Sequence, residues 1–145
     1  MKAIIVAAGM GRRLNPYTDD RPKCMVPVAG RPILERQVDA LRAHGVRDIV
    51  VVRGYLGDRI TVPGLRFIEN PDYAKNNILA SLLYAADEMD DDFLFSYSDI
   101  VFHPDIVSTL AATPGPLALV VDRKWADAYQ GRTEHPVSEA ELTRV

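Results

Sequence analysis

The residues best suited to chemistry lie in one short segment near the N-terminus, between Ala7 and Lys23. Gly9 and Gly11 follow an apolar run, so the backbone can turn tightly there and its N–H groups can approach an anion. The segment also carries four cationic side chains: Arg12, Arg13, Arg21 and Lys23. A glycine loop combined with fixed cations favours binding of a nucleotide through its phosphates.

The segment differs from two better-known phosphate-binding loops. The dinucleotide-binding fingerprint needs a glycine or alanine three residues after its second glycine, where this chain has Leu14. The P-loop needs a lysine and a hydroxyl residue at the start of a helix, whereas Gly11 precedes two arginines and then Asn15-Pro16. From the glycines alone, a plain strand-to-helix turn is an equal alternative. Arg13 and Lys23 favour the nucleotide site.

The segment from Ala7 to Lys23 resembles the signature of nucleotidyltransferases that make sugar nucleotides, small-Gly-x-Gly-x-Arg-Leu-x-Pro-x-Thr ending in Pro-Lys. Four further motifs are similar to the phosphocholine cytidylyltransferase branch of that family: Asn70-Pro71-Asp72-Tyr73, Asn76-Asn77, Tyr97-Ser98-Asp99 and Val121-Asp122-Arg123-Lys124-Trp125. The resemblance implies an α/β fold, a three-layer Rossmann-like nucleotidyltransferase fold with a mainly parallel sheet. Because family members are considerably longer, it also implies that residues 1–145 form the N-terminal, nucleotide-binding part of a single domain, truncated before its acceptor-binding part.

The function implied by the resemblance is nucleotidyl transfer. A nucleoside triphosphate, CTP by family likeness, would be coupled to a small phosphate or phosphonate acceptor such as phosphocholine, with release of pyrophosphate. A sugar-1-phosphate nucleotidyltransferase is an alternative. A non-catalytic nucleotide-binding regulatory module is another, for which the glycines would suffice and the joint presence of Arg13, Lys23 and Asp99 would be unnecessary.

The resemblance also assigns roles to these three charged residues. Arg13 would hold the β- and γ-phosphates, Lys23 would contact the α-phosphoryl group and the incoming phosphate, and Asp99 would bind the Mg²⁺ cofactor. Magnesium binds to one or two carboxylates together with phosphate oxygens and water. Asp99 is therefore an incomplete ligand set, and no second carboxylate is assigned. Without the first motif, Asp99 would be interpreted as a strand-end residue that caps a turn.

The nucleotide contacts implied by the resemblance come from the loop and from a second helix. The loop residues are Ala7, Ala8, Gly9, Met10, Gly11 and Arg12. We expect Asn76 to cap the helix and Asn77 to present its amide to cytosine, with Ser81 as a weaker candidate. The alternative is that one asparagine caps the helix and the other is exposed.

Alternating strands and helices would position these residues. The apolar patterns predict strands at Lys2–Val6, Asp48–Val52, Leu65–Glu69, Phe93–Tyr97 and Leu117–Val121. They predict helices from Pro32 to His44, from Asn76 or Asn77 to about Met89 with Leu79 and Leu83 on the apolar stripe, and from His103-Pro104 to Ala111. Such alternation predicts a parallel sheet with ligands bound beyond the carboxyl ends of its strands. The glycine loop and Asp99 should therefore face one crevice.

Composition indicates one small domain and a small partner. The 145 residues are 48% apolar and 26% charged with a net charge of −3, which argues against a disordered chain and gives no basis for a nucleic-acid partner. We expect a cytoplasmic protein without membrane association and leave a homo-oligomer open. A lone cysteine, Cys24, excludes an intrachain disulfide and is expected in the core.

Other polar and aromatic residues receive ordinary interpretations. His44, His103 and His135 lack zinc-ligand spacing, and Asp90 to Asp92 should be a solvated connection. The aromatics Tyr97, Trp125 and Tyr129 could surround a choline group by cation–π attraction, although core or interface packing is the more frequent role. The tail from Trp125 to Val145 is polar and shows no clear periodicity.

Overall fold

A computed structural model of the chain describes residues 1–133 and 137–140. Its strands are β1 (Lys2–Ala7), β2 (Pro27–Val28), β3 (Arg31–Pro32), β4 (Asp48–Arg53), β5 (Arg66–Glu69) and β6 (Phe93–Tyr97). Its α-helices are α1 (Ile33–Ala43), α2 (Ile78–Leu83), α3 (Asp105–Ala112) and α4 (Trp125–Tyr129). Single 3₁₀ turns lie at Arg12–Leu14, Lys23–Met25, Gly57–Arg59, Ala86–Glu88 and Val137–Glu139.

The main sheet contains four strands in the order β5-β4-β1-β6, and every pair is parallel. Ile4 of β1 lies opposite Val50 of β4 on one side and Phe95 of β6 on the other. The two central strands are continuous apolar runs because both of their faces are covered, as is typical of parallel sheets. The short β2 and β3 form a separate antiparallel pair.

Helices cover both faces of the sheet, so the fold has the three layers that the sequence predicts. On one face, Leu34, Val38 and Leu41 of α1 pack with Val107 of α3 in the larger core cluster. Their spacing places them on one side of the helix, which explains why α1 forms at the predicted position. On the other face, Ala85 and the end of α2 pack in a smaller cluster. Within the described residues, no helix has the length and apolarity needed to cross a membrane.

The predicted strand at Leu117–Val121 is wrong. Leu117 is 77% exposed and Leu119 is 66% exposed, and the segment has no strand assignment. A strand needs a neighbour for its backbone hydrogen bonds. Here β6 is the edge of the sheet, and no later segment of the described chain pairs with it. The apolar pattern is therefore present without the partner that would bury it. The tail also contains more structure than predicted, namely the short helix α4.

The second helix is shorter than predicted. The helix α2 ends at Leu83, and the following turn at Ala86–Glu88 is 3₁₀ in form. Because a 3₁₀ turn contains fewer residues than an α-helical turn, it rotates the later side chains relative to α2. Leu82 packs in the core, whereas Leu79 and Leu83 are 64% and 57% exposed, so their placement on the buried stripe is also wrong.

Candidate functional site

A cleft of about 350 Å³ opens at the carboxyl ends of β1 and β6 and at the start of α2. It is lined by Val6, Ala7, Gly9, Gly11, Arg12, Arg13, Leu14, Lys23, Tyr73, Asn76, Asn77, Ile78, Ser81, Tyr97, Ser98 and Asp99. The glycine loop and Asp99 thus share one crevice, as strand topology predicts. Nine of the eleven candidate site residues line it: Ala7, Gly9, Gly11, Arg12, Arg13, Lys23, Asn77, Ser81 and Asp99.

The glycine loop is held by a buried threonine. Thr18 is fully buried, and its hydroxyl lies 2.7 Å from Asn15 Oδ1 and 3.1 Å from the Gly11 carbonyl oxygen. The hydroxyl of Tyr55 donates a hydrogen bond of 3.1 Å to the Thr18 carbonyl. These contacts hold the loop from behind through groups of the chain itself.

The two glycines serve different geometric purposes. Gly11 has a φ of +61°, which favours glycine, and a Cβ there would lie 3.1 Å from Thr18 Cγ2. By contrast, a Cβ at Gly9 would meet no atom within 4 Å, although Gly9 lines the cleft. The space in front of Gly9 is open for a group that approaches the main chain closely.

A close ion pair links the two halves of the cleft. Lys23 Nζ lies 2.6 Å from Asp99 Oδ2, and the two side chains are 31% and 34% exposed. Lys23 follows the glycine loop and Asp99 follows β6, so the pair joins segments separated by 76 positions. Both groups are half-buried, which makes each charge more effective on a neighbour than it would be in bulk water.

Three of the four cations in the N-terminal segment line the cleft, and Arg21 does not. The guanidinium of Arg21 donates to both carboxylate oxygens of Asp20, at 2.7 and 2.9 Å. These hydrogen bonds lower the pKa of Asp20 and raise that of Arg21. The inclusion of Arg21 among the phosphate-directed cations is therefore wrong, because an adjacent carboxylate binds it outside the cleft. Arg12 and Arg13 remain beside Lys23.

Asp99 contributes a carboxylate to the cleft lining. Among residues 1–133 and 137–140, no group of three or more His, Cys, Asp or Glu side chains could hold a metal ion by itself. This donor set fits Mg²⁺ only in the mode in which one carboxylate and the phosphate oxygens of a substrate share the ion. The position of Asp99, in the cleft and opposite a lysine, is compatible with that mode.

Of the two adjacent asparagines, Asn77 and not Asn76 caps the helix. Asn77 is the N-cap of α2, and its Oδ1 accepts a hydrogen bond of 2.9 Å from the Ala80 N–H. The assignment of capping to Asn76 is therefore wrong. The side chain of Asn76 instead points to Asn70, with reciprocal amide hydrogen bonds of 3.1 Å. The side-chain oxygen of Asn77 is used in capping the helix. Asn77 also lines the cleft, and the cap does not use its side-chain NH₂.

Asn70 is the centre of this polar network, a role that its place in the Asn70–Tyr73 motif did not predict. It is 1% exposed, and its amide also donates to Ser81 Oγ at 2.8 Å while its Oδ1 accepts from the Asp72 N–H at 3.0 Å. All four hydrogen-bonding positions of the amide are therefore used. The network ties the loop after β5 to the start of α2, and it holds Asn76 and Ser81 at the cleft wall.

Two of the candidate loop residues lie outside the cleft lining. Ala8 is 1% exposed, and its carbonyl accepts a hydrogen bond of 3.1 Å from the Tyr55 N–H. Met10 contributes a sulfur atom 3.5 Å from Arg12 Nη2. Ala8 thus supports the loop from the side of β4, and Met10 contacts an arginine that lines the cleft.

Tyr73, which the sequence places in the Asn70–Tyr73 motif without a role, also lines the cleft. A Cβ at Gly54 would lie 2.6 Å from Tyr73 Cβ, so the glycine that follows β4 lets the tyrosine pack directly on the backbone. Of the three aromatics considered for choline binding, Tyr97 lines the cleft, whereas Trp125 and Tyr129 do not. The rings of Trp125 and Tyr129 instead pack edge to face at 5.4 Å.

The residues given ordinary interpretations support no second reactive site. Cys24 is 1% exposed, and burial raises the pKa of its thiol to about 12, so it behaves as a packed core residue. His103 Nδ1 accepts a hydrogen bond from the Asp105 N–H at 3.3 Å, next to the start of α3. His135 lies outside the described residues.

Comparisons with known proteins agree on one family. A family model described as MobA-like NTP transferase domain matches residues 3–140. The chain is similar to CTP:phosphoglutamine cytidylyltransferase of Campylobacter jejuni, with 36% identity across 100% of this chain and 62% of that protein. It is similar to CMP-5'-(3-aminopropyl)phosphonate synthase of Streptomyces rubellomurinus, with 34% identity across 85% of this chain and 21% of that protein.

Solved structures give the same result for the fold. The structure of CTP:phosphocholine cytidylyltransferase from Streptococcus pneumoniae matches with a TM-score of 0.66 and 34% identity, across 72% of this chain and 49% of that one. The chain therefore spans less than two thirds of the length of each of these three relatives.

Proposed function

The chain belongs to the MobA-like NTP transferase domain family, and from that membership we propose that it provides the nucleotide-binding part of a cytidylyltransferase. In the proposed reaction, a phosphate or phosphonate oxygen of a small acceptor attacks the α-phosphorus of CTP. A new P–O bond forms to the α-phosphorus as its bond to the bridging oxygen of pyrophosphate breaks. Pyrophosphate leaves with that electron pair.

The observation that carries the proposal is the Lys23–Asp99 ion pair in the same cleft as the glycine loop. The reaction brings two anions together and releases a third, so electrostatic repulsion is a large part of its barrier. Fixed cations and oriented N–H donors lower that barrier more effectively than a covalent nucleophile would. The cleft contains these groups, and the buried Cys24 thiol is unsuited to act as a nucleophile.

Each cleft residue has a role in this proposal. Arg13 binds the β- and γ-phosphates, and Lys23 contacts the α-phosphoryl group and the incoming phosphate. Asp99 would hold Mg²⁺ together with phosphate oxygens, and the bound ion would neutralise charge on the triphosphate and the leaving pyrophosphate. When the triphosphate enters, Lys23 exchanges a carboxylate partner for phosphate oxygens. Lys23 would then be close to the phosphate oxygens, and Asp99 would be close to the ion.

The nucleobase would lie against the α2 side of the cleft. Asn77 would offer its amide NH₂ to the acceptor atoms of cytosine while its oxygen continues to cap the helix. Ser81 and the backbone from Ala7 to Arg12 would contribute further contacts. The choice of CTP is supported by the names of the relatives, which specify CTP or a CMP product, and those relatives act on small phosphates or phosphonates.

The test is pyrophosphate release by the purified protein, measured with CTP, UTP and dTTP against phosphocholine, aminoalkylphosphonates and sugar 1-phosphates. We expect release only with CTP and a small phosphate or phosphonate. Lys23→Ala should lower kcat by about 10²- to 10³-fold, as loss of a preorganised electrostatic group typically does. Arg21→Ala is the matched control, because this cation of the same segment lies outside the cleft. Equal losses in the two variants, or none in Lys23→Ala, would contradict the proposed role.

A further inference from the structure

Gln37 is a polar residue on the apolar side of α1, where it is 1% exposed. Its neighbours on the same side of the helix are Leu34, Val38 and Leu41, and all three are core residues. The Gln37 amide nitrogen donates two hydrogen bonds, to the Tyr97 carbonyl at 2.8 Å and to the Ile100 carbonyl at 2.6 Å. These carbonyls flank Ser98 and Asp99, so one side chain of α1 forms hydrogen bonds with both ends of the turn that carries Asp99.

The same turn has few other backbone hydrogen bonds. Ser98 N–H donates to the Val6 carbonyl at 3.3 Å, which is the last bond of the β1–β6 ladder. From Asp99 to Pro104, no backbone N–H donates to the backbone of another described residue. The two bonds from Gln37 therefore tie the Asp99 turn to the helix layer.

The amide of Gln37 is only half satisfied. Its Oε1 atom is buried and has no hydrogen-bond partner among the described residues. A buried polar atom without a partner costs free energy; a methionine of similar length would avoid that cost but would also remove the donor to the Tyr97 and Ile100 carbonyls. The amide therefore combines an unsatisfied acceptor with two well-formed donor contacts, and both of those contacts hold the Asp99 turn.

We propose that Gln37 is a positioning residue that fixes the Tyr97–Ile100 turn and so aims Asp99 at Lys23 across the cleft. The inference rests on the proposed function for the role of Asp99. The hydrogen bonds between Gln37 and the turn do not depend on that function. Gln37 is not among the residues that line the cleft. Its effect passes through the backbone carbonyls on either side of Asp99, which changes where the carboxylate lies rather than its chemical nature.

The experiment compares Gln37→Met with a matched control, Val38→Ala, in the full protein. Val38 is the next residue of α1 and is equally buried, with 1% of its surface exposed, but it packs in the core and makes no polar contact with the turn. Gln37→Met should lower kcat for pyrophosphate release about tenfold or more while KM for CTP changes less than about threefold. Val38→Ala should lower Tm through the lost packing and leave kcat within about twofold.

Amide hydrogen exchange gives a second measurement that is independent of activity. In Gln37→Met, the amide of Ser98, which donates to the Val6 carbonyl, should exchange at least about tenfold faster than in the parent, with the protection of α1 retained. Unchanged exchange and unchanged kcat would overturn the inference. If the parent protein releases no pyrophosphate with any acceptor, the proposed function fails, and the exchange comparison still decides whether Gln37 holds the turn.

A conservative variant keeps the test decisive if Gln37→Met does not fold. Gln37→Glu preserves the shape of the side chain, and its protonated carboxyl can donate one hydrogen bond where the amide donates two. Exchange of the Ser98 amide should then be faster than in the parent and slower than with methionine. A Gln37→Glu protein equal to the parent in both exchange and kcat would refute the positioning role.

Discussion

Replacing Asn70 by alanine should remove the polar centre that joins the loop after β5 to the start of α2. The amide of Asn70 makes hydrogen bonds with Asn76, Ser81 and the Asp72 N–H, and the residue is 1% exposed. Alanine at this position leaves those partners facing a small cavity. We therefore expect a loss of stability and a looser wall on the side of the cleft where the nucleobase is proposed to bind.

The magnitude follows from the number of hydrogen bonds and from their burial. A typical intramolecular hydrogen bond contributes about 1 kcal/mol net, and a buried partner left unsatisfied costs about 1 to 3 kcal/mol. Asn76 is half-buried, so water can replace part of what it loses. We expect Asn70→Ala to lower the free energy of unfolding by about 2 to 4 kcal/mol. Asn77→Ala, which removes one capping hydrogen bond, should cost about 1 kcal/mol.

Urea unfolding at 25 °C, followed by circular dichroism, measures both losses. A double-mutant cycle of Asn70→Ala with Asn76→Ala should give a coupling energy of about 1 to 2 kcal/mol for the reciprocal amide pair. The same cycle of Asn70→Ala with Asn77→Ala should give a coupling near zero. If Asn70→Ala is no more destabilising than Asn77→Ala, the network does not contribute what its hydrogen bonds indicate, and the reasoning is refuted.

Three further predictions follow from the loop, the thiol and a surface carboxylate. Gly11→Ala should lower the unfolding free energy by about 1 to 2 kcal/mol, because alanine is strained at positive φ and would crowd Thr18; a higher or equal Tm would contradict this. Cys24 should resist alkylation at pH 8 until the protein is unfolded, because burial raises its pKa to about 12; stoichiometric labelling of the native protein would show otherwise. Hydrogen bonds from Arg66 lower the pKa of Glu88 from 4.5 to about 2, so its contribution to stability is complete above pH 4.5 and is lost as the pH falls towards 2. Urea unfolding of Glu88→Gln across that range should show a smaller loss of stability with falling pH than the parent, and parallel curves would contradict the assignment.

Much of the sheet and the phosphate-directed half of the cleft could be predicted from local sequence. The runs at Lys2–Val6 and Asp48–Val52 are apolar over their full length after the first residue, because buried parallel strands present both faces to helices. Parallel topology then brings the residues after β1 and β6 together whatever their separation in sequence. The common location of the glycine loop and Asp99 was predictable for that reason.

The errors arise where a local pattern depends on a distant partner. The apolar Leu117–Val121 segment resembles a buried strand, but no described neighbour pairs with it. The arginine at position 21 lies beside Asp20, and an ion pair between adjacent residues is one of several arrangements that the sequence allows. Gln37 and Asn70 were not predicted, because a buried amide can be interpreted only once the backbone groups opposite it are known.

The pairing of β1 with β6 has a consequence for the order in which the protein acquires its ligand site. Lys2 lies opposite Phe93, and Val6 lies opposite Tyr97, so the wall that carries Asp99 is added to the earliest strand of the chain by a much later one. During synthesis, a nascent polypeptide that ends before Phe93 contains thirteen of the sixteen residues that line the cleft but lacks Tyr97, Ser98 and Asp99. The cleft in which a nucleotide is proposed to bind is therefore complete only after β6 has joined the sheet, which makes the site a product of long-range closure.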